Sequence, residues 1–274
     1  MYSRDGAIHF SALKMMEESP LHYAWFVSND RGDTPGMRLG RAVHAATLQG
    51  IEPFVFEGDR RGSKWATFVA ERELQHVEIE SESYYSKTAI SDVLTTSERD
   101  KARHMRDSVF RCKIASDLLR ECSETEVDLS WSVNGHPCRG RIDARNPGRT
   151  ILVELKTCRS AKKFAFLRDA ERMSYDAQLP WYDIGQGKRW IPGSTEWSEH
   201  YIIAVENVAP FATQVYKVSP LKVDQGYDKA CRWIDEFSAC VENDGFRRSY
   251  SDDLISWDAD LMFGSAQEEE EDDA

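Results

Sequence analysis

The sequence predicts an α/β fold in which a mixed central β-sheet is flanked by helices, with helical elements ahead of it. Three observations carry this. Residues 126–133 (EVDLSWSV) alternate strictly between apolar and polar, the period of a strand with one face on a core. Residues 150–157 (TILVELKT) are almost continuously apolar, as a central strand covered on both faces requires. On either side of this region, apolar residues recur at helical spacing.

In chain order, residues 11–18 read as a short helix with Ser11 as its N-cap, stopped by Pro20. After a polar stretch at 29–36, residues 37–48 place Leu39, Val43 and Ala46 on one helical stripe, with His44 on the edge four residues after Gly40. Residues 50–88 are aromatic and charged with weak periodicity and read as an irregular insertion. Residues 89–121 show sustained helical spacing, as one long helix or two broken ones.

The first strand leads to Asn134-Gly135, a pair suited to a type I′ turn because both central positions need positive φ. A second strand over 136–143 ends at Asp143. Asn146-Pro147-Gly148 turns the chain into the third, which completes a meander. Residues 164–187 read as helix, in which Pro180 should cause a kink or break. Two further strands over 200–207 and 211–219 meet at Ala209-Pro210, and a helix from 220 to about 241 closes the fold. One domain is expected over 1–263, followed by a disordered acidic tail over 264–274.

No stretch reaches the roughly 18 to 20 apolar residues of a membrane-spanning helix, and the first ten residues lack a signal core, so a soluble cytoplasmic protein is expected. The six cysteines are scattered without a C-x-x-C pair, which argues against a zinc knuckle, a disulfide framework or a clustered iron-sulfur site. The net charge is −12, and six of these charges lie in Glu268–Asp273. A chain of this balance can bind a polyanion only by concentrating Lys and Arg locally.

Asp143 ends one expected strand and Glu154 sits inside the next, so the hairpin between them can set the two carboxylates side by side. Glu154 and Lys156 are two residues apart and share one face of their strand, with Leu155 on the other. Paired carboxylates hold hard divalent cations, and a neighbouring ammonium can orient water and offset phosphate charge. A bare E-x-K triplet is commonly an ion pair on a strand. Two charges in an apolar central strand, however, are costly to bury without a partner or a metal.

The order G-R-I-D (140–143) then I-L-V-E-L-K-T (151–157) resembles the core signature of the PD-(D/E)XK nuclease superfamily, whose fold is restriction-endonuclease-like. Gly40-x-x-x-His44 upstream and Tyr175-Asp-Ala-Gln178-x-x-x-Tyr182 downstream are similar to the G-x-x-x-H and Q-x-x-x-Y motifs of its RecB-like branch. Within that branch the order of elements most resembles the exonuclease VIII (RecE) nuclease domain and its phage relatives, over roughly residues 8 to 240. The resemblance implies a catalytic set of Asp143, Glu154, Lys156, Gln178 and Tyr182. It also implies Mg²⁺, with Mn²⁺ as a substitute, held by Asp143, Glu154, His44 and the Leu155 carbonyl. Glu126 resembles the position of a further acid in related enzymes, with Glu124 as a competitor.

The implied activity is 5′ to 3′ degradation of linear duplex DNA from its ends, which leaves single strands for an annealing protein. Members of the branch can assemble as rings. The alternatives are a structure-specific or restriction-type endonuclease of the same fold and a non-catalytic DNA-binding protein that kept it. Arg139 and Arg141 alternate on the strand leading to Asp143, and Arg159, Lys162 and Lys163 follow the third strand; both groups are candidate phosphate contacts. Arg60, Arg61 and Lys64 read instead as a solvated charged loop.

Overall fold

The computed structural model describes residues 3, 5–29, 32–58, 60–78, 92–188, 198–243 and 245–248. Strands β4 (Glu124–Val133), β5 (His136–Asn146) and β6 (Ile151–Cys158) form the antiparallel meander. Strand β7 (Glu199–Glu206) runs parallel to β6, and β8 (Thr213–Lys217) returns antiparallel to β7. The two-residue strand β1 (Ile8–His9) pairs in parallel with Cys138 and Arg139 of β5. A separate two-stranded ribbon joins β2 (Val55–Phe56) to β3 (Leu94–Thr95).

Asn134 (φ 51°) and Gly135 (φ 79°) both occupy the left-handed region, as the expected turn requires. The register opposes Ala144 to Val153 and Asn146 to Ile151, after which the two strands part. One edge of β5 pairs with β4 along its length. The other edge is shared by β6, at residues 144–146, and β1, at residues 138–139. Residues 140–143 therefore border an opening in the sheet, and this opening holds the site.

Helices cover both faces. On one, Leu152, Ile202 and Ala204 pack with α1 (Phe10–Leu13), α2 (Pro20–Ser28), α8 (Tyr175–Gly185) and α9 (Pro220–Asn243). On the other, Val153, Leu155 and Ile203 pack with α3 (Pro35–His44), α5 (Thr96–Arg111) and α6 (Lys113–Glu121). The alternation along β6 thus sends Leu155 into the second layer, while Glu154 and Lys156 reach toward α8. Among the described residues, no helix is long and apolar enough to cross a membrane, and all six cysteines are free thiols.

Several local expectations change. Pro20 does not merely stop a helix: after α1 and a 3₁₀ turn (Lys14–Glu17), it opens α2 at the first helical position, where its missing N–H costs nothing and Ser19 caps the end. The insertion expected at 50–88 contains α4 (Ser63–Glu78), whose Trp65 and Phe68 pack with Phe56; residues 79–91 lie outside the described set. Within the helical stretch expected from 89, whose residues 89–91 lie outside the described set, α5 starts at Thr96, where Thr95 and Glu98 form a reciprocal capping box. Strand β5 continues past Asp143 to Asn146.

The helix expected over 164–187 is two, α7 (Lys163–Arg172) and α8, separated at Ser174 (φ 54°) rather than at Pro180. Pro180 lies within α8 and offers no N–H to the Asp176 carbonyl four residues back. The tail expected over 264–274 lies outside the described residues.

Candidate active site

The opening between β5 and β6 gathers groups from five elements: β4, β5, β6, α3 and α8. Asp143 and Glu154 are both buried. The Leu155 N–H donates to Asp143 Oδ2 at 2.7 Å, so the carboxylate stands where a ladder partner would be had the strands stayed together. From α3, His44 enters at the start of a wide π-helical turn (Ala45–Gln49), a deformation often found at functional sites. Its Nε2 donates to the Leu155 carbonyl at 2.9 Å, and its Nδ1 lies 3.5 Å from Asp143 Oδ1 and 3.6 Å from Glu126 Oε1.

Glu126 stands in the left-handed region at φ 52°, a conformation that costs a residue with a Cβ about 1–3 kcal/mol and persists where the surroundings impose it. Thr125 pairs with Ala144 and Val127 with Ile142, which sets Glu126 across from Asp143. The competitor Glu124 binds Arg145 instead, at 2.6 Å.

Lys156 Nζ donates to Glu154 Oε1 at 2.5 Å and to Gln178 Oε1 at 2.9 Å. The Gln178 amide in turn donates to Glu154 Oε1 at 2.8 Å and to the Tyr182 hydroxyl at 2.9 Å. Pro180 therefore leaves Gln178 and Tyr182 on one face of α8. Tyr182 comes this close to the sheet because β5 carries Gly140 beneath it: a Cβ there would meet the ring at 2.7 Å.

Charge is unevenly tuned. Burial opposes the charged form of His44, but the carboxylates of Asp143 and Glu126 outweigh it and lift the imidazole to about 10. Burial works on Asp143 in the opposite sense and is again outweighed, by His44 and Lys156, which hold its carboxyl below the usual range. Burial, reinforced by the Asp143 charge, pushes Glu154 up to about 7 despite Lys156. Burial and the Glu154 charge together raise the Tyr182 phenol well above its ordinary value.

One ligand atom each from His44, Glu126 and Asp143 lie within 4.8 Å of one another. Glu126 Oε1 and Glu154 Oε2 are buried without a hydrogen-bond partner. Buried carboxylate oxygens without donors are costly, and a cation shared by these acids would satisfy them. The donor set, carboxylates with one imidazole, suits a hard or borderline divalent ion. His44 would then ligate through Nδ1 while its Nε2–H stays fixed on Leu155, the usual support for a metal-bound histidine. The Leu155 carbonyl expected in the metal shell is engaged by His44 here.

This arrangement has a measurable consequence. With its value near 10, His44 carries a proton on Nδ1 at neutral pH that a metal must displace. Calorimetric titration of Mn²⁺ at pH 8 in two buffers of different ionisation enthalpy is expected to report release of about one proton, with affinity rising from pH 6 to 9. His44→Gln should bind more weakly and release fewer protons; equal release from both proteins would exclude this ligand.

A cleft of about 890 Å³ leads to Lys156, Gln178 and Tyr182, with Arg139 and Arg141 on its wall. Arg139 is held by Asp5 at 3.1 Å and Arg141 by Asp128 at 2.7 Å. Arg141 also lines the smaller recess on the His44 side. Arg159 and Lys162 are exposed on the link from β6 to α7, and Lys163 is exposed at the first position of α7. Arg60 is not a solvated loop residue: it binds Glu98 and the Val93 carbonyl.

Compared with known proteins, residues 9–248 match the model of a family described as a PDDEXK-like domain of unknown function (DUF3799). Among solved structures, the chain is similar to a protein of Eubacterium rectale named a "putative exonuclease", at 10% identity and a TM-score of 0.57, covering 96% of this chain and 94% of that one. At that identity the likeness shows a shared fold. A phage-related exonuclease from Haemophilus somnus 129PT matches at 10% identity over 86% of this chain and 97% of that one, but its TM-score of 0.32 carries no weight. No curated protein matches the sequence.

Proposed function

The chain belongs to the PDDEXK-like family just described, and from that premise we propose that it is a Mg²⁺-dependent deoxyribonuclease that degrades linear duplex DNA from its ends, 5′ to 3′. The single strands so produced would serve an annealing partner. The observation that carries the nuclease reading is the convergence of Asp143, Glu126, His44 and Glu154 beside a half-buried, hydrogen-bonded Lys156. End-dependent digestion is supported by the RecB-like motif order and by the description of the Eubacterium rectale protein that shares the fold.

In this reading Asp143, Glu126, Glu154 and His44 would hold the cation, which when bound would supply an acidified water and charge neutralisation at the scissile phosphate. Lys156 stands beside Glu154, where its ammonium can meet a phosphate oxygen or fix the attacking water. Gln178 keeps both side chains in place, its amide oxygen accepting from Lys156 and its amide N–H donating to Glu154. Arg139 and Arg141 can exchange their exposed carboxylate partners for phosphates as a strand enters.

Purified protein with Mg²⁺ is expected to degrade linear duplexes, to release label from 5′ ends first, and to spare closed circular DNA; a chelator should stop it. Cleavage of the circle would move the assignment to an endonuclease. No degradation of linear DNA with Mg²⁺ or Mn²⁺ would overturn the nuclease reading.

A further inference from the structure

Lys156 has a third partner that no part of the E-x-K pattern supplies. Its Nζ lies 4.7 Å from the centroid of the Tyr175 ring, while two of its three N–H groups point to Glu154 Oε1 and Gln178 Oε1. Tyr175 opens α8 immediately after the left-handed Ser174, and its ring packs on Phe166 at a centroid distance of 6.3 Å. Phe166 thus backs the ring on one side, and Tyr175 lines the cleft next to Lys156.

We infer that Tyr175 is a positioning residue for Lys156: its π face holds the half-buried ammonium at the cleft without binding its third N–H. An aromatic face attracts a cation through its quadrupole and claims no directed hydrogen bond. A carboxylate or carbonyl in the same place would bind the third N–H. An aliphatic side chain would leave a desolvated charge with one side uncompensated. The ring does neither, so the remaining N–H can pass to an anionic phosphate oxygen without first breaking a hydrogen bond. The functional part of this inference rests on the nuclease reading of Lys156; the contact itself does not.

The test uses Tyr175→Phe, which keeps the π face, and Tyr175→Leu, which removes it, with thermal melts to confirm that both are folded. On a linear duplex with Mg²⁺, Y175L is expected to lose about tenfold in kcat with little change in KM, and Y175F to restore most of it. Independently of activity, the ε-methylene protons of Lys156, assigned through Lys156→Arg, should be shifted upfield by the ring current in the parent and Y175F, and return to the ordinary lysine position in Y175L. An unshifted Lys156 signal in the parent would overturn the contact. Parent and Y175L cleaving at equal kcat, or Y175F falling as far as Y175L, would overturn the positioning role. If the parent does not cleave DNA, the nuclease reading fails, and the ring-current shift still decides the contact.

Discussion

Asp143→Asn is expected to lower kcat/KM on linear DNA by at least about 10³ while leaving the protein folded. One oxygen of Asp143 accepts from the Leu155 N–H and the other faces His44 Nδ1. The amide can preserve the first contact and has the same shape, so the Leu155 N–H keeps its acceptor. It cannot supply the negative charge that a divalent ion needs, nor can it favour the protonated His44. The accompanying change in unfolding free energy should stay within about 1–2 kcal/mol, because lost attraction to His44 is offset by relief of Glu154, whose carboxyl Asp143 pushes up. Parallel measurement of chemical denaturation and initial rates would check this. A D143N protein that retains more than a tenth of the activity would remove Asp143 from the mechanism.

The second large effect is structural and lies away from the metal-binding groups. Gly226 of α9 packs so closely on α8 that a methyl there would stand 2.0 Å from the Asp176 carbonyl oxygen and 2.4 Å from its carbon. This is the carbonyl to which Pro180 offers no N–H. The obstacle is backbone, so no rotamer change relieves it and the two helices must separate. Gly226→Ala should therefore destabilise by about 3 kcal/mol and lower the melting temperature by roughly 10 °C. Activity should suffer at temperatures where the protein is still folded, because α8 carries Tyr175, Gln178 and Tyr182. Gly36→Ala, whose added Cβ would meet only Thr34 Oγ1 at 3.9 Å, serves as the comparison and should be neutral or slightly stabilising. Equal melting points for the two variants would refute the argument.

Local chemistry, where it decides structure, was legible. The positive φ values at Asn134 and Gly135 follow from residue type, and the alternation of 126–133 fixes which face of β4 meets the core. The spacing of Glu154 and Lys156 on a period-two strand, and of Gln178 and Tyr182 on a helix, puts each pair on one side of its element, as the hydrogen bonds among them require. The effect of a proline depends on position: Pro20 follows the end of one helical segment and opens the next, where it has no N–H to lose, and the break expected at Pro180 falls at Ser174 instead.

The sequence by itself determined the five main strands of the sheet, their order, and the chemical types available for a site: two acids, a lysine, a histidine, a glutamine and a tyrosine at spacings that secondary structure converts into shared faces. Only the tertiary structure decided that β5 divides one edge between β1 and β6, which opens the sheet at residues 140–143 and lets groups from both helical layers meet. It also chose Glu126 over Glu124, by a left-handed bend at one residue of β4, and set the ring of Tyr175, on the helix that covers this face, over Lys156. The physical reason is common to all three. Periodicity reports which way a side chain points from its own element, whereas a site forms where separate elements approach, and that depends on the packing of side chains distant in sequence.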